Sequence, residues 1–130
     1  MKKTATLFIA LVAAVAAYAQ TTWNLDQTHS SIGFSVSHMV VSETAGNFKD
    51  FAITVVSKNA DFDGAEVQFT AKVASINTDN EKRDGHLKSA DFFDAEKFPE
   101  ITFKGNLVKA GGKYQLKGQF TMKGVTKEVA

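Results

Sequence analysis

Glu66-Val67-Gln68-Phe69-Thr70-Ala71-Lys72-Val73 decides the fold class. Val67, Phe69, Ala71 and Val73 are apolar and the residues between them are polar. That period of two sends successive side chains to opposite faces of a strand. The alternation recurs on both sides of this stretch. Ile32, Phe34 and Val36 alternate with Gly33, Ser35 and Ser37, and Phe51, Ile53 and Val55 repeat the pattern. Ile101 and Phe103 alternate with Thr102 and Lys104. Tyr114, Leu116, Gly118, Phe120 and Met122 alternate with Gln115, Lys117, Gln119, Thr121 and Lys123. With short strands over 22–26 and 125–129, the pattern predicts seven strands. Each has one apolar and one wet face, as in antiparallel sheets around an interior. Turns are expected around Ala45-Gly46-Asn47, over 58–64 and at Ala110-Gly111-Gly112, whose residues tolerate tight or left-handed backbone. Sandwiches and up-and-down barrels both satisfy this pattern.

Composition agrees. After residue 19 the chain of 130 holds ten Phe, ten Val, four Ile and ten Thr, but four Leu. The first group suits pleated, half-buried surfaces and Leu favours helices. The length fits one domain. A net charge of +1 over the whole chain lacks the basic excess that phosphate backbones demand, which argues against nucleic acid as a partner.

The first nineteen residues read as a secretory signal peptide. Lys2 and Lys3 precede an apolar run from Leu7 to Ala16, and Ala17-Tyr18-Ala19 supplies a small-residue cleavage site. The apolar stretch of about 13 residues falls short of the roughly 20 a spanning helix needs, so no stable membrane insertion is expected. Cleavage near Ala19 leaves residues 20–130 as one domain, with 13 basic and 14 acidic groups, in the periplasm or outside the cell. That domain has no cysteine, so it must hold together by burial alone.

Residues 77–99 break the alternation. Thr78 and Glu81 have capping-box spacing, which predicts a short helix over 79–88 despite Gly85. Phe92, Phe93 and Phe98 follow before Pro99, the only proline. An excursion of this length between strands suits a lid, plug or binding loop, and its three phenylalanines must bury against something.

Catalytic signals are sparse. His29, His38 and His86 lie in separate segments without metal-motif spacing, which favours hydrogen-bonded histidines over zinc ligands. Arg83-Asp84-Gly85-His86 brings an acid, a base and a cation together in sequence. Adjacent helical residues do not face one another, so the stretch reads as a lid-anchoring ion pair rather than a catalytic dyad. Asp61-Phe62-Asp63-Gly64 opens like a calcium loop but lacks the later glutamate, so a turn is the better reading. No serine elbow, phosphate loop or dinucleotide fingerprint occurs. The apolar interior remains, and periodicity leaves open whether it closes on itself or holds a ligand.

Several stretches resemble the YceI-like family. They are Asp26-Gln27-Thr28-His29-Ser30, Phe34-Ser35-Val36-Ser37-His38-Met39, Gly46-Asn47-Phe48 and Ser75-Ile76-Asn77-Thr78. The series continues with Arg83-Asp84-Gly85-His86-Leu87-Lys88-Ser89-Ala90-Asp91-Phe92-Phe93, Phe98-Pro99-Glu100-Ile101-Thr102-Phe103, and Gly118 through Gly124-Val125-Thr126-Lys127. The resemblance spans the mature chain in order. It implies an all-β, lipocalin-like antiparallel barrel with one short helical insertion. Such a barrel would hold a long apolar lipid, a polyisoprenoid or isoprenoid quinone type, as a non-catalytic carrier or store without cofactor or metal.

The cavity candidates on the apolar parity are Phe34, Val36, Phe51, Ile53, Val67, Phe69, Phe103, Leu116 and Phe120. The lid motif is Arg83, Asp84, His86, Leu87, Phe92 and Phe93. The resemblance also allows a homodimer. Family members continue past the Gly-Val-Thr-Lys motif, so the barrel is expected to lack its C-terminal strands. Two other classes compete: a stress-related structural or interaction protein with a packed core, and a metal enzyme or hydrolase built on His29, His38 and His86.

Overall fold

The computed structural model describes residues 20–38 and 42–130; the expected signal peptide lies outside them. Nine antiparallel strands are present among the described residues, two more than the alternation predicts. They are β1 (Thr21–Asn24), β2 (Ile32–His38), β3 (Ser42–Phe48), β4 (Phe51–Ser57), β5 (Glu66–Lys72), β6 (Ile76–Asn77), β7 (Glu100–Ala110), β8 (Lys113–Met122) and β9 (Val125–Val129). One helix, α1 (Glu81–Lys88), lies between β6 and β7. The class is the expected one: antiparallel β of barrel type with a single helical insertion. The strands form a six-stranded sheet in the order β1-β4-β5-β7-β8-β9 and a three-stranded sheet, β2-β3-β6. The two sheets do not close into one ring among the described residues.

Register places the alternating residues on common faces. Ile53, Phe69, Phe103 and Phe120 form one row across four strands, since each pairs with the next. Val55, Val67, Gly105 and Gly118 form the next row. The opposite face carries Gln68, Lys104 and Gln119. The core lies where the two sheets meet, with Phe48 and Ile76 of the small sheet against Phe51, Ala71 and Ile101 of the large one, and Val73 beside them. Ile32, Phe34, Leu87, Phe93 and Phe120 pack around it.

Three local expectations need correction. Ala45-Gly46-Asn47 is not a turn but part of β3, paired with β2. Gly46 serves packing: a Cβ there would lie 2.5 Å from Cζ of Phe34 and 2.8 Å from Cγ2 of Thr78. Second, α1 starts two residues later than expected and its cap is Asn80, whose side chain accepts from Arg83 N at 2.9 Å. Third, β3 and β6 are strands that the alternation leaves out. The turn over 58–64 and the Gly111-Gly112 turn are as expected. Gly111 and Gly112 have φ of 57° and 79°, the left-handed pair that a two-residue hairpin needs.

Candidate functional site: an apolar cleft between the sheets

Between the two sheets runs a cleft of about 240 Å³, lined by Ile32, Gly33, Phe34, Phe48, Phe69, Phe93, Ile101, Phe120 and Met122. No lining side chain is polar. β2 and β3 supply one wall, β5, β7 and β8 the floor, and the segment after α1 the remaining wall through Phe93. The rings of Phe34 and Phe48 are tilted at 5.8 Å, and Phe93 meets Phe48 edge-on at 6.1 Å. Such pairs hold aromatic walls in defined positions.

Of the nine cavity candidates, Phe34, Phe69 and Phe120 line this cleft. Phe51 and Phe103 are buried to 7% exposure beneath or beside it, and Ile53 packs against the same core. Val67 is buried one row further along the sheet. Val36 and Leu116 share the inward parity but stand 57% and 40% exposed, beyond the reach of the opposing sheet. Ile32, Phe48, Ile101 and Met122 also line the cleft. Ile32, Ile101 and Met122 already carried the right parity in sequence. Phe48 was hidden by the misplaced turn.

The lid motif divides. Leu87 and Phe93 pack on the core. Phe92 is 46% exposed and meets the His86 ring edge-on at 4.9 Å, so it is not the buried residue expected. His86 Nε2 lies 3.3 Å from Asp91 Oδ2. Arg83 and Asp84 do not pair directly; both converge on Thr78. Thr78 N and Oγ1 donate to Asp84 Oδ1 at 2.9 and 2.6 Å. Arg83 donates through Nε to Thr78 Oγ1 at 2.8 Å and through Nη2 to Thr78 O at 2.7 Å. The expected ion pair is therefore a threonine-centred network. The capping-box reading fails because Asn80 caps the helix and the Thr78 hydroxyl accepts from Arg83 Nε instead.

The other titratable motifs are structural. His29 Nδ1 is 2.8 Å from Asp26 Oδ2, and that hydrogen bond, followed by one from Thr28 N, holds the Asp26 carboxyl below its ordinary range. Asp63 Oδ1 accepts from Lys109 N at 2.9 Å, tying the 58–64 turn to β7. The Asp61 carboxyl is lowered, first by the Asp63 amide and then by Lys109. The side chain of His38 lies outside the described residues. No group of three or more metal-ligating side chains occurs among the described residues.

An antiparallel, barrel-type β fold holding an apolar cleft and covered at one side by a helical excursion is the class these residues define. The sequence model of the YceI-like domain matches residues 23–130, and the chain belongs to that family. A UPF0312 protein of Staphylococcus aureus (strain USA300) is 39% identical over 108 residues, covering 83% of this chain and 61% of the relative. The chain thus spans 61% of the length of that curated relative. Among solved structures, Burkholderia cenocepacia BcnA matches with a TM-score of 0.72 at 29% identity, covering 80% of this chain and 66% of that one. The Campylobacter jejuni YCEI protein matches with a TM-score of 0.62 at 34% identity, covering 82% and 64%.

Proposed function

We propose that this protein is an exported, non-catalytic carrier or store for a long apolar lipid of the isoprenoid type, held in the cleft between the sheets. The observation that carries the reading is the wholly apolar lining, Phe34, Phe48, Phe69, Phe93 and Phe120 among it. An interior with no polar side chain offers little for acid–base or nucleophilic chemistry, but it suits burial of hydrocarbon at about 0.8 kcal/mol per CH₂. The cleft of about 240 Å³ is smaller than the roughly 300–1,000 Å³ of drug-sized pockets. A long chain would therefore fill it and continue along the exposed inward residues Leu116, Met122, Val125 and Val129, passing the one charge on that face, Lys127. Polyisoprenoids and isoprenoid quinones have that length and chemistry. Residues 1–19 direct export and are removed after Ala19, and a second copy of the chain is the natural protein partner.

Purification of the natural protein, followed by native mass spectrometry and organic extraction, tests the reading. Recovery of a prenyl lipid in stoichiometric amount is the expected result; protein that is empty and takes up no added farnesol or ubiquinone refutes the carrier. Intact mass of exported material tests the leader, with retention of residues 1–19 as the adverse outcome.

A further inference from the structure

The segment between β6 and β7 is bonded to itself more than to the sheets. Phe93 N donates to Leu87 O, Asp94 N to Ser89 O, Ala95 N to Lys88 O and Phe98 N to Asp94 O, all at 2.8–3.0 Å. Its hold on the sheets comes from side chains: Leu87, Phe93 and Ala95 on the core, the Phe98 ring against Gly124, and Lys123 Nζ donating to Ala90 O at 2.9 Å. The segment leaves β6 through Asp79 at φ 57° and turns after Phe93 through Asp94 at φ 52°. Left-handed backbone is uncommon at non-glycine residues, and Asp is among the few that tolerate it.

Beside Asp79 lies the Thr78 network. Thr78 is 6% and Asp84 8% exposed, and Asp84 is the one buried charged residue among the described residues. A carboxylate out of water is tolerated only when its oxygens are hydrogen-bonded. Oδ1 of Asp84 meets that condition only with α1 in its present direction, because both of its donors belong to Thr78. Neither Thr78, Arg83 nor Asp84 lines the cleft. Their arrangement fixes the angle of α1 and, through it, the wall that Phe93 forms.

We propose that Thr78, Arg83 and Asp84 are positioning residues: a polar clamp that holds the α1 segment, with Phe93, as a movable wall controlling lipid access to the cleft. This rests on the carrier reading above. Lipid passes when the clamp releases and residues 79–98 swing away as one body; the clamp then re-forms over the bound chain. The clamp touches no lipid, so it sets rates rather than affinity, whereas Phe93 contributes to affinity directly.

Two measurements on Thr78→Val, with Thr78→Ser as the conservative rescue, test the clamp. The first is stopped-flow binding and release of NBD-labelled farnesol. Thr78→Val removes both hydroxyl bonds, to Asp84 and from Arg83, and should raise both rate constants by at least about tenfold, the factor expected for losing hydrogen bonds to charged groups, while the ratio of the two is kept. Thr78→Ser should restore wild-type rates, and Phe93→Ala should speed release alone. The second is hydrogen exchange without ligand. Amides of 84–98 should exchange faster together in Thr78→Val, with β5 and β7 unchanged. Unaltered rates, unaltered exchange in 84–98, or acceleration spread through β5 and β7 would each overturn the clamp. Wild-type protein that takes up no probe defeats the carrier reading instead, and the exchange measurement then decides the clamp by itself.

Discussion

At the scale of single residues, the same chemical change has opposite signs at different glycines. A Cβ on Gly105 would collide with the Lys117 carbonyl and lie 2.7 Å from both Gly118 Cα and Cζ of Phe103. Gly105 and Gly118 face each other across β7 and β8, so the two backbones meet with no room for side chains. Gly46 is similarly committed to the Phe34 ring. Gly85 has nothing within 4 Å and sits inside α1. Gly105→Ala and Gly46→Ala should each destabilise by about 1–3 kcal/mol, the usual cost of overpacking. Gly85→Ala should stabilise by about 0.5–1 kcal/mol, because alanine loses less entropy on entering a helix. Urea unfolding of the three variants checks the signs, and a stabilising Gly46→Ala would show that Phe34 can give way.

At the scale of elements, α1 depends on Asn80 rather than on the pair its sequence advertises. Asn80→Ala should cost about 1 kcal/mol through loss of the cap, while Glu81→Ala should be close to neutral; differential scanning calorimetry of both would separate the two readings. The contrast shows what the sequence discloses. Strands such as β5 and β8 were legible because one face is buried and the other wet, so register is written in the alternation itself. β3 was not, because Thr44, Ala45, Gly46 and Asn47 lack an apolar stripe and take their place from the opposing Phe34. The cleft was legible to the level of parity, which put Phe34, Phe69 and Phe120 on the right face. Parity carries no information on how far the small sheet reaches, so it could not separate these from exposed Val36 and Leu116. The Thr78 network joins residues five and six apart across a left-handed Asp79, a geometry that no spacing rule anticipates.

At the scale of the whole molecule, surface charge bounds the pH range and surface apolarity governs association. Asp26, Asp61 and Glu66 have lowered pKa values: His29 acts first on Asp26, the Asp63 amide first on Asp61 and Gln68 first on Glu66. Their stabilising contribution is present above the unfolded carboxyl value of about 4 and is lost as pH falls through the lower folded values. Lys72 and Lys109 are raised by Glu100 and Asp61, so their contribution is complete below about 10.4 and is lost as pH rises through the higher folded values. These groups should leave Tm level between about pH 5 and 9, and Lys109→Gln should make both flanks shallower in a thermal scan. Association follows from the other face of the molecule. Among the described residues β9 is paired on one side only, and Val125, Val129 and Met122, which flank Lys127 on the inward face of β9 and β8, are 57%, 40% and 40% exposed. Exposed apolar side chains beside an open strand edge, with Lys127 the one charge between them, are a template for a second copy. The chain should therefore self-associate with rising concentration, as read by light scattering after gel filtration. Val125→Lys and Val129→Lys should reduce that association, whereas Thr126→Lys on the outward face should not. Lipid covering Leu116, Met122 and Val129 would compete for the same surface, so loading with farnesol should shift the population toward monomer by mass action. Association that survives both loading and the valine substitutions would place the contact on the backbone edge of β9 instead of its apolar face.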